Sequence, residues 1–250
     1  MHKVEKKLIG VKIIDLFAGI GGFHLAFKSY GAKTVYASEW DKDAASVYEK
    51  NYKLKPSGDI KKINEKDIPE HNILCAGFPC QPFSISGKRL GFNDTRGTLF
   101  FEVARIVKEK KPEIVFLENV KNFEKHDNGK TLAVVINTLK ELGYTVFYDV
   151  LNASDYGLPQ SRKRIYIVAF RNDLGIENFK FPEKKKLKKH VEDILEKHSV
   201  YFDEITIDRN DIKINSKSEY SKTSTSIFGS NFHQFFSIPL FSFVYKNFGI

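Results

Sequence analysis

Cys80 lies between two prolines in the stretch Gly77 to Ser84, directly after the apolar run Asn72 to Ala76. Pro79 and Pro82 fix φ, lack backbone donors and disfavour helix before them, which predicts a stiff loop at the end of a strand. Such a loop would present the thiol rather than pack it. Thiols act in enzymes as thiolates, which form where positive charge or backbone N–H groups lie nearby. The spacing therefore predicts a nucleophilic cysteine.

A carboxylate and two guanidinium groups follow at later strands. Glu118 comes directly after the apolar strand Glu113 to Leu117, and ligands bind at the carboxyl ends of strands in open α/β sheets. Arg162 and Arg164 occupy alternate positions, which places both guanidinium groups on one face of a strand. An ordinary ion-paired carboxylate and a basic surface strand are the simpler alternatives.

A glycine turn between a strand and a helix indicates a nucleotide-type pocket. Val11 to Phe17 is predicted to be a mostly buried strand, and Gly19, Gly21 and Gly22 break it before a helix opens. Glycines let the backbone approach a ligand closely at a helix N-terminus. The dinucleotide pattern is incomplete, because His24 occupies the position of its third glycine.

Two acids and the only tryptophan follow the glycine turn. Glu39 ends the strand 34–38, where it can accept hydrogen bonds from ribose hydroxyls. Trp40 can cover an adenine face, or it can pack in the core. Asp59, in a third short strand over Gly58 to Ile60, can reach the amino group of adenine. Together these residues predict an adenosine pocket without phosphate contacts, as S-adenosylmethionine requires.

Length and charge set limits on the protein class. The 250 residues suffice for one main domain with a second small module, and the net charge of +9 favours a polyanionic partner. The most basic stretch, Lys180 to Lys189, is either a solvated linker or a patch that contacts phosphates.

The sequence predicts an intracellular protein without a metal site. It has no run of about 18 apolar residues and no secretory leader, so we expect a cytoplasmic location and no membrane partner. Cys75 and Cys80 have no matching ligands, which argues against a zinc site and against a disulfide framework. Cys75, within the apolar run, is expected to be a small buried hydrophobe.

The remaining pattern alternates helices with strands. Three helices are predicted, over 41–52, 99–110 and 131–142. Two late strands are predicted, over 144–151 and 165–170. The glycine-punctuated, basic stretch Ser86 to Phe92 is predicted to be a mobile loop that could close over a substrate.

In order and spacing, seven segments of the chain resemble the motifs of the DNA (cytosine-5-)-methyltransferase family. The segments are Asp15 to Phe23, Glu39-Trp40, Gly58-Asp59, Gly77 to Ser84, Asp94 to Gly97, Glu118 to Val120 and Gln160 to Arg164. The resemblance implies an α/β fold with a doubly wound, mostly parallel methyltransferase (Rossmann-like) sheet, one antiparallel late strand and an incomplete C-terminal region.

The resemblance also implies roles for the candidate residues. Cys80 would attack carbon 6 of cytosine while Glu118 holds and protonates ring nitrogen 3. Arg164 would bind the carbonyl oxygen of the base and the phosphate beside it, and Arg162 would belong to the same catalytic group. S-adenosylmethionine is the implied cofactor, with contacts from Asp15, Phe17, Gly19, Gly21, Gly22, Glu39, Trp40, Asp59, Ile60, Pro79 and Leu99.

The resemblance fades after about residue 172. We expect residues 1–172 to form the S-adenosylmethionine-binding catalytic domain, and 173–250 to form a lysine-rich linker with a partial or degenerate target-recognition region. The family's recognition domain and later Gly-Asn-Ser-Val-type segment cannot be recognised, and the last 23 residues hold seven Phe and one Tyr.

The predicted function is methylation of carbon 5 of cytosine in double-stranded DNA, within a restriction-modification system and with the base flipped out. The alternative, from a different functional class, is a chain that is inactive by itself. It would be either an inactive truncated fragment or one subunit of a split enzyme whose second polypeptide carries the recognition domain. An RNA cytosine-5 methyltransferase is a third hypothesis. That branch tends to carry Pro-Pro-Cys at the thiol loop, whereas Phe78 precedes Pro79 here.

Overall fold

The computed structural model describes residues 8–80 and 99–185. Their strands are β1 (Lys12–Leu16), β2 (Lys33–Ser38), β3 (Ile73–Ala76), β4 (Ile114–Val120), β5 (Tyr144–Asn152) and β6 (Lys163–Arg171). Their α-helices are α1 (Gly22–Ser29), α2 (Lys42–Tyr52), α3 (Leu99–Lys110) and α4 (Lys130–Glu141). Short 3-10 turns occupy several of the connections.

The six strands form one sheet in the order β2-β1-β3-β4-β6-β5. Strands β2, β1, β3 and β4 pair in parallel, and β6 pairs antiparallel with β4. This arrangement confirms the predicted α/β fold with a mostly parallel sheet and a late antiparallel strand. The strand order reverses between β1 and β3, and in open α/β sheets ligands bind at such a switch point.

The central strands are continuous apolar runs because helices cover both faces of a parallel sheet. All four residues of β3 are buried, and so are Ile13 to Leu16 of β1. The predicted burial of Cys75 is confirmed, since its side chain has no exposed surface. None of the helices in residues 8–80 and 99–185 is long and apolar enough to span a membrane.

The connection between α2 and β3 differs from the prediction. The predicted strand over Gly58 to Ile60 is wrong: only Ser57 makes a bridge to the sheet, with Ser38 of β2. Asp59 instead begins a 3-10 turn over Ile60–Lys62, where its side chain accepts a hydrogen bond from the backbone N–H of Lys61. An Asp at this position caps the turn, because its carboxylate pairs with a backbone donor that would otherwise be unsatisfied.

A polar cluster lies buried beneath α1. The His24 ring shares a 2.8 Å hydrogen bond with the Tyr48 hydroxyl and stacks on Tyr52, with 3.9 Å between ring centroids. The Tyr52 hydroxyl donates to the carbonyl of Gly21, at the start of α1. Through the bond from Tyr52 to Gly21, the cluster therefore fixes the position of the glycine turn.

The described residues divide into two compact units. Of the described residues, the second unit contains Asn152–Arg162 and Glu183 to Lys185. Within it, Lys184 forms an ion pair with Asp155, whose carbonyl also accepts a hydrogen bond from the Lys185 backbone. The predicted domain boundary at residue 172 stays a prediction.

We predict that Tyr144→Phe lowers the free energy of unfolding by about 1–2 kcal/mol, because the buried hydroxyl donates to the Pro112 carbonyl at 2.7 Å. Urea denaturation measures the change. Tyr148→Phe is the matched control on the same strand, since its side chain is 45% exposed. Equal effects from the two substitutions would contradict the prediction.

A second prediction concerns pH. Burial, with a smaller effect from Lys28, lowers the pKa of His24 from 6.5 to about 4. The unfolded chain therefore binds a proton between pH 6.5 and pH 4 that the folded chain does not, so stability present above pH 6.5 is lost as the pH falls. From pH 7 to pH 5 the contribution of His24 should drop by on the order of 1 kcal/mol.

Urea titrations at both pH values compare the unaltered protein with His24→Gln. The variant should lose less stability between pH 7 and pH 5. The buried carboxyl of Asp15, whose pKa is raised mainly by burial, is present in both proteins and acts with the opposite sign. Identical pH slopes in the two proteins would refute the assignment to His24.

Candidate active site

A cleft of about 970 Å³ opens at the carboxyl ends of β1 to β4. It lies in the first compact unit, at the reversal of strand order. Twelve of the predicted site residues line it: Phe17, Gly19, Gly22, Glu39, Trp40, Asp59, Ile60, Pro79, Cys80, Leu99, Glu118 and Arg164. The structure therefore brings the predicted catalytic and cofactor groups to one site.

The loop after β3 carries Cys80 and is anchored at Phe78, through both its ring and its carbonyl. Phe78 is buried between Phe100 and Phe123, each with its ring centroid 5.7 Å away. The carbonyl of Phe78 accepts a 2.8 Å hydrogen bond from Asn119 Nδ2 at the end of β4. Cys80 is only partly buried: it lines the cleft and also packs against the hydrophobic core.

Burial raises the pKa of the Cys80 thiol above its ordinary value. A raised pKa favours the protonated thiol at neutral pH, whereas the nucleophile is the thiolate. Within the described residues, burial thus opposes formation of the thiolate before a substrate binds.

Glu118 and Arg164 form an ion pair at the base of the cleft, with Glu118 Oε1 2.9 Å from Arg164 Nε. The N–H is not aligned for a hydrogen bond, so the attraction is that of two charges. Antiparallel register explains the pairing: Glu118 lies opposite Tyr166 and Val120 lies opposite Arg164, which puts these side chains on one face. Both charged side chains are 16% exposed, which strengthens their attraction relative to water.

The cysteine loop and Glu118 are neighbours. A Cβ atom at Gly77 would lie 3.5 Å from Glu118 Oε2. The parallel pairing of β3 with β4 causes this proximity, because Ala76 lies beside Leu117 and the next residue of each strand reaches the same edge of the sheet.

The other half of the cleft is acidic. Glu39 accepts two backbone hydrogen bonds there, from Gly19 at 2.7 Å and from Asp41 at 2.9 Å. Since the Gly19 N–H is already paired with a carboxylate, it is not available to a phosphate. The acidic side chains that line this half are Glu39, Asp41, Asp43 and Asp59, with Lys61 as the basic one. A ligand that carries positive charge suits this half better than a pyrophosphate does.

Trp40 and Asp59 complete the acidic half. Trp40 is 77% exposed, so the alternative that it packs in the core is excluded. Its ring can cover a flat ligand face. Asp59 uses Oδ1 to cap the 3-10 turn, and the described part of the chain gives Oδ2 no hydrogen-bond partner.

Three predicted site residues do not line the cleft. Asp15 has no exposed surface and accepts a 3.3 Å hydrogen bond from the His24 backbone, so it supports the glycine turn from beneath. Gly21 directly precedes α1 as its N-cap, with a φ of 96°, and a side chain there would overlap Tyr52. Arg162 precedes β6, outside the strand, and its carbonyl accepts a hydrogen bond from Ala153 within the second compact unit.

Sequence reasoning gave no role to Asn119 or Tyr166. Asn119 is 3% exposed and holds the cysteine loop, and Tyr166 lies opposite Glu118 on β6. The signal for Asn119 was its position next to Glu118 in an otherwise apolar strand, where a buried amide needs partners. Tyr166 gave no comparable signal, because its alignment with Glu118 depends on strand register.

Several predictions fall outside the described residues. These are the second half of the thiol loop from Gln81, the loop Ser86 to Phe92, the segment Asp94 to Gly97, and the chain after Lys185 with its phenylalanine-rich end.

Comparison with known proteins identifies the family. Residues 11–244 match the family model described as C-5 cytosine-specific DNA methylase. The chain is 60% identical over 208 residues to the Type II methyltransferase M.HhaI of Haemophilus parahaemolyticus, covering 83% of this chain and 63% of that protein. It is 59% identical over 172 residues to the Type II methyltransferase M.NgoBI of Neisseria gonorrhoeae, covering 69% of this chain and 53% of that protein.

A solved structure agrees with this result. The crystal structure of a Spodoptera frugiperda DNMT2 mutant matches with a TM-score of 0.63 and 28% identity, covering 76% of this chain and 61% of the other. The chain spans between 53% and 63% of the length of the two bacterial relatives. Since the family model matches most of its residues, the chain belongs to the C-5 cytosine-specific DNA methylases.

Proposed function

We propose that the protein transfers a methyl group from S-adenosylmethionine to carbon 5 of cytosine in DNA, as part of a restriction-modification system. One observation carries the proposal: a single cleft joins the Cys80 thiol, the ion pair of Glu118 with Arg164, and an acidic half suited to adenosine. The family description and the names of the Type II relatives support DNA as the substrate.

The residues of the acidic half fit S-adenosylmethionine. Glu39 keeps lone pairs for ribose hydroxyls, because each of its oxygens accepts only one backbone hydrogen bond. Asp59 Oδ2 can accept from the adenine amino group, and the exposed Trp40 can cover the ring. The carboxylates also favour the positive charge of a sulfonium. The bound cofactor supplies an electrophilic methyl group.

The other half of the cleft supplies the groups that make carbon 5 of cytosine reactive. Cys80 adds through its sulfur to carbon 6, and the thiol proton passes to the Glu118 carboxylate as the bond forms. Glu118 holds ring nitrogen 3 and passes this proton on to it, so that negative charge does not accumulate on the base. Arg164 sits beside Glu118 and is available to the carbonyl oxygen of the base.

The adduct then completes its cycle on the same residues. Carbon 5 gains the methyl group as the bond between the methyl group and the sulfonium sulfur breaks, which leaves S-adenosylhomocysteine. Water takes the carbon 5 proton as the bond between the Cys80 sulfur and carbon 6 breaks, and the proton on nitrogen 3 returns through Glu118 to the thiol. Carbon 6 cannot be reached inside a base stack, so the cytosine must be flipped out at a cost of a few kcal/mol. The width of the cleft, which reaches from Trp40 to Arg164, favours a flipped base on one side and cofactor on the other.

We predict that Cys80→Ala abolishes methyl transfer while S-adenosylmethionine affinity changes by less than about twofold, because the thiol acts on the base. The measurements are incorporation of radiolabelled methyl into mixed-sequence DNA and calorimetric titration with the cofactor. DNA containing 5-fluorocytosine should become covalently trapped on the unaltered protein, since the final elimination needs a hydrogen at carbon 5.

The same trap provides its own control. The Cys80→Ala variant keeps Cys75, which is fully buried, and should form no cross-link. Methylated product from the variant, or turnover on ordinary DNA without trapping on fluorinated DNA, would contradict the covalent route.

A further prediction compares Glu118 in β4 with Glu113, which lies directly before that strand. Glu118→Gln should lower the rate of methyl transfer at saturating cofactor by roughly 100-fold or more, the size expected for loss of a general acid. Glu113→Gln, directly before the opposite end of β4, is the matched control, because that side chain contacts Asn72 and not the cleft. Single-turnover methylation assays measure both. Equal rates in the two variants would refute the role of Glu118.

A further inference from the structure

The wall of the cleft at Asp59 and Ile60 belongs to a long connection without regular strands. This connection runs from the end of α2 to the start of β3, over residues 53–72, and contains only short 3-10 turns. A segment of this kind has few backbone hydrogen bonds of its own, so other elements must fix its position.

One end of this wall is fixed by β2. Ser57 exchanges backbone hydrogen bonds with the strand, donating to the Ala37 carbonyl and accepting from the Glu39 N–H. The Ser38 hydroxyl donates to the Gly58 carbonyl at 3.0 Å. The chain is therefore held immediately before Asp59.

The other end is fixed by one side chain of α3. Arg105 Nη2 donates to the carbonyls of Ile60 and Ile63, at 2.7 Å and 2.8 Å. The same guanidinium binds Glu65 through Nη1 and Glu102 through Nε. Both carboxylates are less than 35% exposed, so they orient the guanidinium in a partly buried setting.

We propose that Arg105 is a positioning residue of the adenine subsite, which holds Asp59 and Ile60 at the cleft through the carbonyls of the turn that follows them. The inference rests on the proposed function, because it takes adenosine as the ligand. Arg105 does not line the cleft and acts through the turn. Its planar donors match two carbonyls and two carboxylates together, which a lysine cannot do.

The same helix offers a matched control. Lys110 also reaches from α3 to this connection, donating to the Lys66 carbonyl at 3.3 Å and to Glu70 at 3.0 Å. Its partners lie beyond the turn that carries Ile60. Lys110→Met therefore removes an anchor of the connection without touching the wall of the cleft.

The test uses the 250-residue chain with Arg105→Lys, which keeps the charge and the helix. Calorimetry compares S-adenosylhomocysteine with S-inosylhomocysteine, in which an oxygen replaces the adenine amino group and would face the Asp59 carboxylate. We expect Arg105→Lys to bind S-adenosylhomocysteine roughly tenfold more weakly, the size of one lost charge-assisted hydrogen bond, and to discriminate less between the two ligands. Lys110→Met should keep both affinities within about twofold.

A second readout needs no ligand. Amide hydrogen exchange over residues 59–63 should be faster in Arg105→Lys than in the unaltered chain and in Lys110→Met. Faster exchange with unchanged discrimination would overturn the positioning role, and so would unchanged exchange. Failure of the unaltered chain to bind either ligand would overturn the proposed function and this inference with it.

Discussion

The hydrogen bond from Asn119 Nδ2 to the Phe78 carbonyl joins the ends of two neighbouring parallel strands. Cys80 follows Phe78 by two residues, and Glu118 directly precedes Asn119, so this bond ties the segment that carries the proposed nucleophile to the strand that carries Glu118. Burial of an amide is unfavourable unless both ends are paired. Asn119 meets this requirement, because its Oδ1 also accepts from the Val120 backbone. The geometry of the half of the cleft that holds Cys80 and Glu118 depends on this satisfied side chain.

The two halves of the cleft use charge in opposite ways. In the acidic half, Glu39 occupies the backbone N–H of Gly19, which makes this donor unavailable to a phosphate, and the carboxylates provide negative charge for a cationic ligand. In the catalytic half, the carboxylate of Glu118 has a cation beside it. Removal of one partner from such a partly buried pair leaves an uncompensated charge. The pair therefore holds Glu118 and Arg164 against each other at the cleft.

Local patterns were sufficient for most of the fold. The helix over 99–110 was predicted with its observed ends, because apolar residues recur at helical spacing and Pro112 follows. Buried strands of a parallel sheet are apolar throughout, which made the runs at β1, β3 and β4 recognisable. Because the carboxyl ends of parallel strands meet at one edge, the grouping of Glu39 after β2 with Cys80 after β3 and Glu118 in β4 could also be predicted.

Other features depend on contacts between distant residues. Asp15 lies near a strand end, where a ligand-binding acid is expected, yet its side chain is wholly buried. This burial results from the packing of α1, whose His24 backbone donates to the Asp15 carboxylate. Asp59 caps a turn and does not continue a strand, because the connection is held by β2 and by Arg105, 45 residues beyond Ile60. The pairing of Glu118 with Arg164 requires the antiparallel register, which no local pattern encodes.

Gly21 and Tyr52 restrict each other's evolution. An added Cβ at Gly21 would lie 2.1 Å from the Tyr52 ring, and the Tyr52 hydroxyl is bonded to the Gly21 carbonyl. A smaller residue at 52 would relieve the overlap but would leave the positive φ at 21, which L-residues other than Asn and Asp rarely adopt. A single substitution therefore cannot place a larger side chain at position 21 without either overlap with Tyr52 or backbone strain. Descendants of this sequence should therefore retain the glycine even where the aromatic residue is replaced.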